Sequence, residues 1–180
     1  MLIKELFSEY TENIPNPVGR GELLKICHSK DGKQMVLFAK FTQLQRFDNL
    51  DEFERAAAKA VGLDYLRVKC RYTPDMLDAK YTGEAVKRLK QDMAVINGHL
   101  NGAFYYIDNN TVHIELKRGG AELLSRAGFE NALAKLLNEE FSVKLTVKLI
   151  EKQTEQDQTL HCKISFLLLA SLLKQSVFVV

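Results

Sequence analysis

The sequence predicts an α+β protein built from two small units, and three observations lead to this class. Apolar residues recur at helical spacing in some segments and at every second position in others, so helices and strands are both expected. Hydrophobic residues make up 46% and charged residues 27% of the chain, which is the profile of a soluble globular protein. With 180 residues, the chain has room for one ordinary domain or two small ones. The order of the elements places these units at residues 1–73 and 75–151, followed by a linker and an apolar tail at 152–180.

The first unit is predicted to begin with a short helix and a β-hairpin. Residues 2–10 have apolar side chains at helical spacing. Two strand-like runs follow at Glu22–His28 and Gln34–Phe41, and Asp31-Gly32 lies in the turn between them. An Asp-Gly pair between apolar runs is a strong hairpin signal, because glycine accepts the positive φ that the turn requires.

A second helix and a third strand are predicted to complete this unit. The helix is expected at Asn49–Val61, with Asn49 as its cap and Gly62 at its C-terminal end. Leu63–Tyr72 has the character of a strand, and Pro74 ends it because proline cannot donate a main-chain hydrogen bond.

The second unit is predicted to contain six elements in the order α-β-β-α-α-β. Its expected ranges are Thr82–Ile96, Gly102–Ile107, Thr111–Lys117, Gly120–Ser125, Phe129–Phe141 and Val143–Ile150, with Thr82 as a possible cap of the first helix. This is the element order of a KH-like type II domain, an α+β sandwich with a three-stranded sheet. Ferredoxin-like variants have similar orders, so the order does not decide the fold by itself.

Several segments along residues 2–151 resemble the N-terminal region of PolC-type bacterial DNA polymerase III. The most informative is the stretch from Val95 to Leu124, which includes the Asn109-Asn110 turn and the Gly119-Gly120 joint. The other matching segments are Ile3-Lys4-Glu5-Leu6-Phe7, Val61-Gly62-Leu63, Val68-Lys69, Arg71-Tyr72, Pro74 and Lys135-Leu136-Leu137-Asn138-Glu139-Glu140-Phe141. None of these segments is a catalytic signature.

The resemblance implies a fold and a role in DNA replication, but no catalysis by this chain. In that family the matching region precedes an OB-fold domain, a 3'-5' exonuclease and the DNA-directed DNA polymerase. Their carboxylates lie downstream, so no residue here inherits a catalytic role. The implied fold is an N-terminal α/β unit followed by a KH-like type II unit. The implied partners are replisome proteins, with single-stranded DNA as an alternative.

Two glycine-containing turns are the candidate nucleic-acid-binding elements. A KH domain contacts nucleic acid through a GxxG loop between two helices, because glycine lets the phosphate backbone approach the main chain. Here that loop is Ser125-Arg126-Ala127-Gly128, in which Ser125 replaces the first glycine. The second turn opens a helix, where main-chain amides favour anions. The candidate residues are Lys117, Arg118, Gly119, Gly120, Arg126 and Gly128. The alternative is that both turns serve only the fold.

The remaining polar residues indicate no enzyme, cofactor or metal site. The formal net charge of +2 does not provide the basic excess that is typical of nucleic-acid-binding proteins. The basic residues Lys87, Arg88 and Lys90 are expected to form a solvated helix face, with a partner surface as the alternative. No two of the four histidines have metal-ligand spacing, and the three cysteines lack a CxxC pair, which favours a reducing cytosol.

The last residues depart from the resemblance. Residues 164–180 are strongly apolar, but Lys174 interrupts them, and its charge would be costly inside a membrane. Three explanations stay open: a truncated reading frame whose last residues are not polymerase sequence, an amphipathic helix that docks on the protein or a partner, and a membrane anchor. A signal peptide is not expected at the N-terminus, so we expect a cytoplasmic protein.

Overall fold

The computed structural model describes residues 1–9 and 16–151. Its helices are α1 to α6, at Ile3–Leu6, Asn16–Gly19, Phe47–Val61, Ala79–Asp92, Ala121–Arg126 and Phe129–Phe141. Its strands are β1 to β6, at Glu22–His28, Gln34–Lys40, Tyr65–Arg71, Phe104–Asp108, Thr111–Leu116 and Thr146–Glu151. The end of the first predicted helix at residue 10, and the predicted linker and apolar tail at 152–180, lie outside the described residues.

The first sheet contains β1, β2 and β3 in that order. Strands β1 and β2 are antiparallel and form the predicted hairpin, in which Ser29 N–H donates to the carbonyl of Gln34 at 3.0 Å. Gly32 has φ +70°, the conformation that its place in the turn requires. Strand β3 runs parallel to β2, so α3 has to cross the sheet between them.

Helix α3 covers one face of this sheet, and its N-terminus is not the one predicted. Leu50, Phe53 and Ala57 are buried, and Gly62 ends the helix with φ +70°. The helix begins at Phe47, however, so the prediction that Asn49 caps it is wrong. The main-chain N–H of Phe47 instead donates to Glu84 Oε2 at 2.7 Å, so a carboxylate from α4 satisfies this terminus.

Helix α4 also begins earlier than predicted. Asp78 is its cap, because its Oδ1 accepts from Tyr81 N–H at 2.6 Å. Thr82 is fully buried one turn further along, so the prediction that it caps the helix is wrong. The helix ends at Asp92, and Ala94–Ile96 forms a separate 3-10 turn.

The second sheet contains β4, β5 and β6 in that order. Strands β4 and β5 are antiparallel, and β6 is parallel to β5. The inward-facing residues Val112, Ile114, Leu116 and Val147 are buried against α4, α5 and α6, which pack on one face only. The structure is therefore α+β with two three-stranded sheets in its described part, and residues 79–151 follow the predicted order α-β-β-α-α-β apart from the 3-10 turn.

The two halves are packed against each other through α3, α4, α6 and β3. Phe141 at the end of α6 is fully buried, and its ring centroid lies 5.0 Å from that of Tyr72 and 5.3 Å from that of Tyr81. Tyr72 follows β3, whereas Tyr81 belongs to α4. One aromatic cluster therefore links both halves of the protein. Among the residues described, no helix has the length and apolar character needed to cross a membrane.

Candidate functional site

The Gly119-Gly120 turn opens helix α5, and a carboxylate occupies the helix terminus there. The φ angles are +68° at Gly119 and +99° at Gly120. A Cβ at Gly120 would collide with the imidazole of His99, so only glycine fits there. Ala121 N–H donates to Glu151 Oε1 at 2.7 Å. Because Glu151 already supplies the negative charge at this terminus, the turn is poorly suited to a phosphate.

The Ser125–Gly128 loop is similarly engaged with acidic side chains. Ser125 Oγ donates to Glu130 Oε2 at 2.7 Å, and Arg126 NH2 donates to Glu122 Oε1 at 2.5 Å. Gly128 has φ +74° and open space around its Cα. The polar side chains of the loop thus already have carboxylate partners, although the Arg126–Glu122 pair is exposed and therefore weak.

The six predicted residues do not come together as one site. Lys117 and Arg118 are exposed and lie with the two glycines at the start of α5, whereas Arg126 and Gly128 lie at its other end. A helix of six residues separates these ends by about 9 Å. Lys117 runs across Gly102, where a Cβ would lie 3.4 Å from its Nζ.

A buried ion pair between α3 and α4 is a feature that the sequence analysis missed. Arg88 is 6% exposed and Glu54 is 7% exposed, and Arg88 NH2 lies 2.8 Å from Glu54 Oε1. Both residues also bond the main chain of β3: Val68 N–H donates to Glu54 Oε1 at 2.7 Å, and Arg88 NH2 donates to the Val68 carbonyl at 2.6 Å. The prediction of a solvated basic face is therefore wrong for Arg88, because its buried guanidinium donates to the main chain of β3 at the edge of the sheet.

A second buried carboxylate lies beside this pair. Glu140 is 3% exposed, and its Oε2 accepts from Tyr81 Oη at 2.8 Å. Tyr72 Oη accepts from Gln45 N–H at 3.1 Å and lies 3.3 Å from Tyr81 Oη. Burial raises the pKa of Glu140 to about 7, although the hydrogen bond from Tyr81 and the charge of Arg88 act in the opposite direction.

Removing the charge of Glu140 is expected to change how stability depends on pH. Because the folded protein holds this proton more tightly than the unfolded chain, Glu140 makes stability fall as pH rises from about 4.5 to about 7. Glu140→Gln should therefore gain stability relative to the original protein between pH 4.5 and pH 8, by up to roughly 3 kcal/mol. Urea unfolding of both proteins at pH 4.5 and at pH 8 measures this difference in stability.

Glu139→Gln is the matched control for this experiment. Glu139 is the neighbouring residue of α6, but its side chain is 38% exposed. Its substitution should shift stability similarly at both pH values. Parallel pH profiles for Glu140→Gln and the original protein would contradict the role given to Glu140.

The outer face of the second sheet exposes aromatic side chains. Phe104 is 61% exposed, and its ring centroid lies 6.1 Å from that of Tyr106. The ring of Tyr106 stacks on His113 of β5 at 4.7 Å with an interplanar angle of 8°. Because the helices pack on the opposite face of the sheet, we call the strip of Phe104, Tyr106 and His113 the aromatic face.

In residues 1–9 and 16–151, no group of three histidine, cysteine or acidic residues is arranged to hold a metal ion. Cys70 is fully buried, and burial raises the pKa of its thiol to about 12, so it is a poor nucleophile. Cys27 is only half-buried.

A comparison of the chain with protein-family models and with curated proteins finds no match.

Proposed function

We propose that this chain corresponds to the non-catalytic N-terminal region of a PolC-type DNA polymerase III and associates with other replisome proteins. The support is the resemblance of the segments quoted above, which extend from Ile3 to Phe141. The α-β-β-α-α-β order of residues 79–151 agrees with the KH-like type II unit expected in that family. The parent protein would be the DNA-directed DNA polymerase and 3'-5' exonuclease, acting in the cytoplasm.

The observation that carries a role in protein association is the aromatic face. Exposed aromatic rings are typical of protein interfaces, where they contribute much of the binding energy. Strand register places Asp108 and Glu115 on the same face, with Lys148 as its basic residue. This charge balance is unfavourable for a phosphate backbone, so it favours a protein partner over nucleic acid.

Phe104→Ser is expected to weaken association with a replisome partner by about tenfold or more, because it removes a large apolar contact. The measurement is calorimetric titration of the chain with purified replisome proteins, taken one at a time. Leu123→Ser is the matched control, since Leu123 on α5 is 52% exposed. Equal losses for both variants, or no binding to any of these proteins, would contradict the proposal.

A titration with single-stranded DNA at several salt concentrations separates this function from a KH-like nucleic-acid-binding module. A binder would lose affinity linearly in log salt, in proportion to the number of phosphates contacted. The association module should show no measurable binding at physiological salt through the Ser125–Gly128 loop. Salt-dependent binding that Arg126→Met removes would replace the proposal by the nucleic-acid-binding function.

A further inference from the structure

A groove lies between the outer face of the first sheet and helices α4 and α6. Its volume is about 350 Å³, which is at the small end of the range for ligand sites. Basic residues line it from β3 and α6, namely Arg67, Lys69, Arg71 and Lys135. Leu89 and Leu136 supply apolar contacts, and Tyr65, which is 43% exposed, also lines it. The groove therefore combines cations with an apolar wall.

Arg88 also lines this groove, but its guanidinium is engaged below the surface. Its Nη2 bonds Glu54 and the Val68 carbonyl, and neither of these residues lines the groove. Its Nη1 is buried, and no group in the described part of the chain accepts from it. A ligand in the groove would therefore be bound by the other cations that line it.

The acidic residues of the groove already have partners. Asp92 lies 3.2 Å from Arg67, and Glu139 lies 3.7 Å from Lys69. Glu140 accepts from Tyr81, and burial raises its pKa to about 7, so it carries less negative charge near neutral pH than an ordinary glutamate. These contacts leave the charges of other groove residues free for a ligand.

Arg71 and Lys135 are those free cations. Arg71 NH1 donates to the Glu139 carbonyl at 2.6 Å, and among the residues described its acceptors are main-chain carbonyls. Lys135 is exposed and forms no ion pair with any described residue. Neither charge is therefore compensated by a carboxylate within 4 Å in the described structure.

The positive charge continues from the groove onto the outer face of the first sheet. The Nζ atoms of Lys25 and Lys69 lie 5.9 and 5.6 Å from the centre of the Phe38 ring, and Arg71 Cζ lies 5.6 Å from it. Three cations, one from β1 and two from β3, thus surround one ring of β2. These like charges raise the local electrostatic potential and repel one another, and a bound anion would relieve the repulsion.

We propose that the groove binds a phosphate group, with Arg71 and Lys135 as donors. A dianionic phosphate fits a groove lined by several cations better than a single carboxylate does, and guanidinium groups bond its oxygens in a fixed geometry. Inorganic phosphate and a phosphate ester share this chemistry. In an ester, the remainder of the molecule would contact Leu89, Leu136 and Tyr65. This site does not depend on the proposed function.

Calorimetric titration with inorganic phosphate, adenosine monophosphate and acetate tests the site. We expect both phosphates to bind, and Arg71→Met and Lys135→Met each to lower the affinity about tenfold, which is ~1.4 kcal/mol. Methionine keeps an apolar stem of similar length. Lys144→Met is the matched control, because Lys144 is exposed and outside the groove. Substitution of Arg88 is avoided here, since it also breaks the buried pair with Glu54.

The outcomes separate the alternatives. Tighter binding of adenosine monophosphate than of inorganic phosphate supports a phosphate ester, and equal binding supports free phosphate. Binding of acetate as strong as that of phosphate overturns the assignment. So does binding that Lys144→Met weakens as much as Lys135→Met, or the absence of binding of both phosphates at about 10 mM.

Discussion

Arg88→Met is expected to lower the free energy of unfolding by about 3–5 kcal/mol. The substitution leaves Glu54 as an uncompensated charge in a buried position, where it is 7% exposed. It also removes the donor to the Val68 carbonyl at the edge of β3. The midpoint of urea unfolding, followed by circular dichroism, measures the loss.

Two further variants distinguish the stability effect of breaking the buried pair from the effect of removing any arginine. Arg126→Met is the matched control, because the Arg126–Glu122 pair is exposed on both sides, and it should cost at most about 1 kcal/mol. In the double variant Glu54→Leu/Arg88→Met neither position of the pair keeps an unpaired buried charge, so part of the stability should return. Equal losses for the two arginine variants would show that the pair is not a structural element.

Phe141→Ala is expected to destabilise the protein by about 3–5 kcal/mol. Phe141 is fully buried, and the truncation removes its ring contacts with Tyr72 and Tyr81. Those tyrosines belong to different halves of the chain, so the loss should lower the stability of both sheets together. Thermal unfolding followed by tyrosine absorbance and by circular dichroism reports on both.

Phe104→Ala is the control for this truncation. It makes the same chemical change on the aromatic face, where Phe104 is 61% exposed, and should alter stability by no more than about 0.5 kcal/mol. The two probes should give coincident transitions for the original protein. Separate transitions in the original protein would mean that the halves unfold independently, contrary to the role given to this cluster.

Much of the element order could be predicted from the sequence because the signals are local. The Asp31-Gly32 turn specifies the hairpin within a few residues, and the structure confirms both strands. Gly62 ends α3 as predicted. The chain adopts φ +70° at this position, a conformation that favours glycine, so a single residue indicates where the helix ends. Helix α6 has the predicted bounds, since its apolar spacing is regular along its whole length.

Two of the wrong predictions concern groups whose partners are distant in sequence. Phe47 bonds Glu84, and Arg88 bonds Glu54, across separations of 37 and 34 residues. Neither contact leaves a periodic pattern near either partner. A basic run in a helix has the same local sequence whether it faces solvent or a strand edge, so the burial of Arg88 could not be predicted from it.

The sequence located the two glycine-containing turns of the candidate site but not the groups that contact them. Gly119, Gly120 and Gly128 have positive φ angles. The sequence did not indicate that Glu151, which is 30 residues from Ala121, would bind the start of α5. The groove could not be predicted either, because β3, α4 and α6 form it together.

The partners of Val68 have a consequence for cutting this protein into fragments. Strand β3 is an edge of its sheet. The outward main-chain groups of Val68 bond Glu54 and Arg88, and the N–H of Tyr72, which follows the strand, donates to the Glu140 carbonyl. Two of these three partners lie beyond residue 73. A fragment comprising residues 1–73 would keep its three strands but present an open hydrogen-bonding edge to other molecules, the arrangement from which intermolecular sheets grow. Expression trials should therefore retain the chain at least to the end of α6.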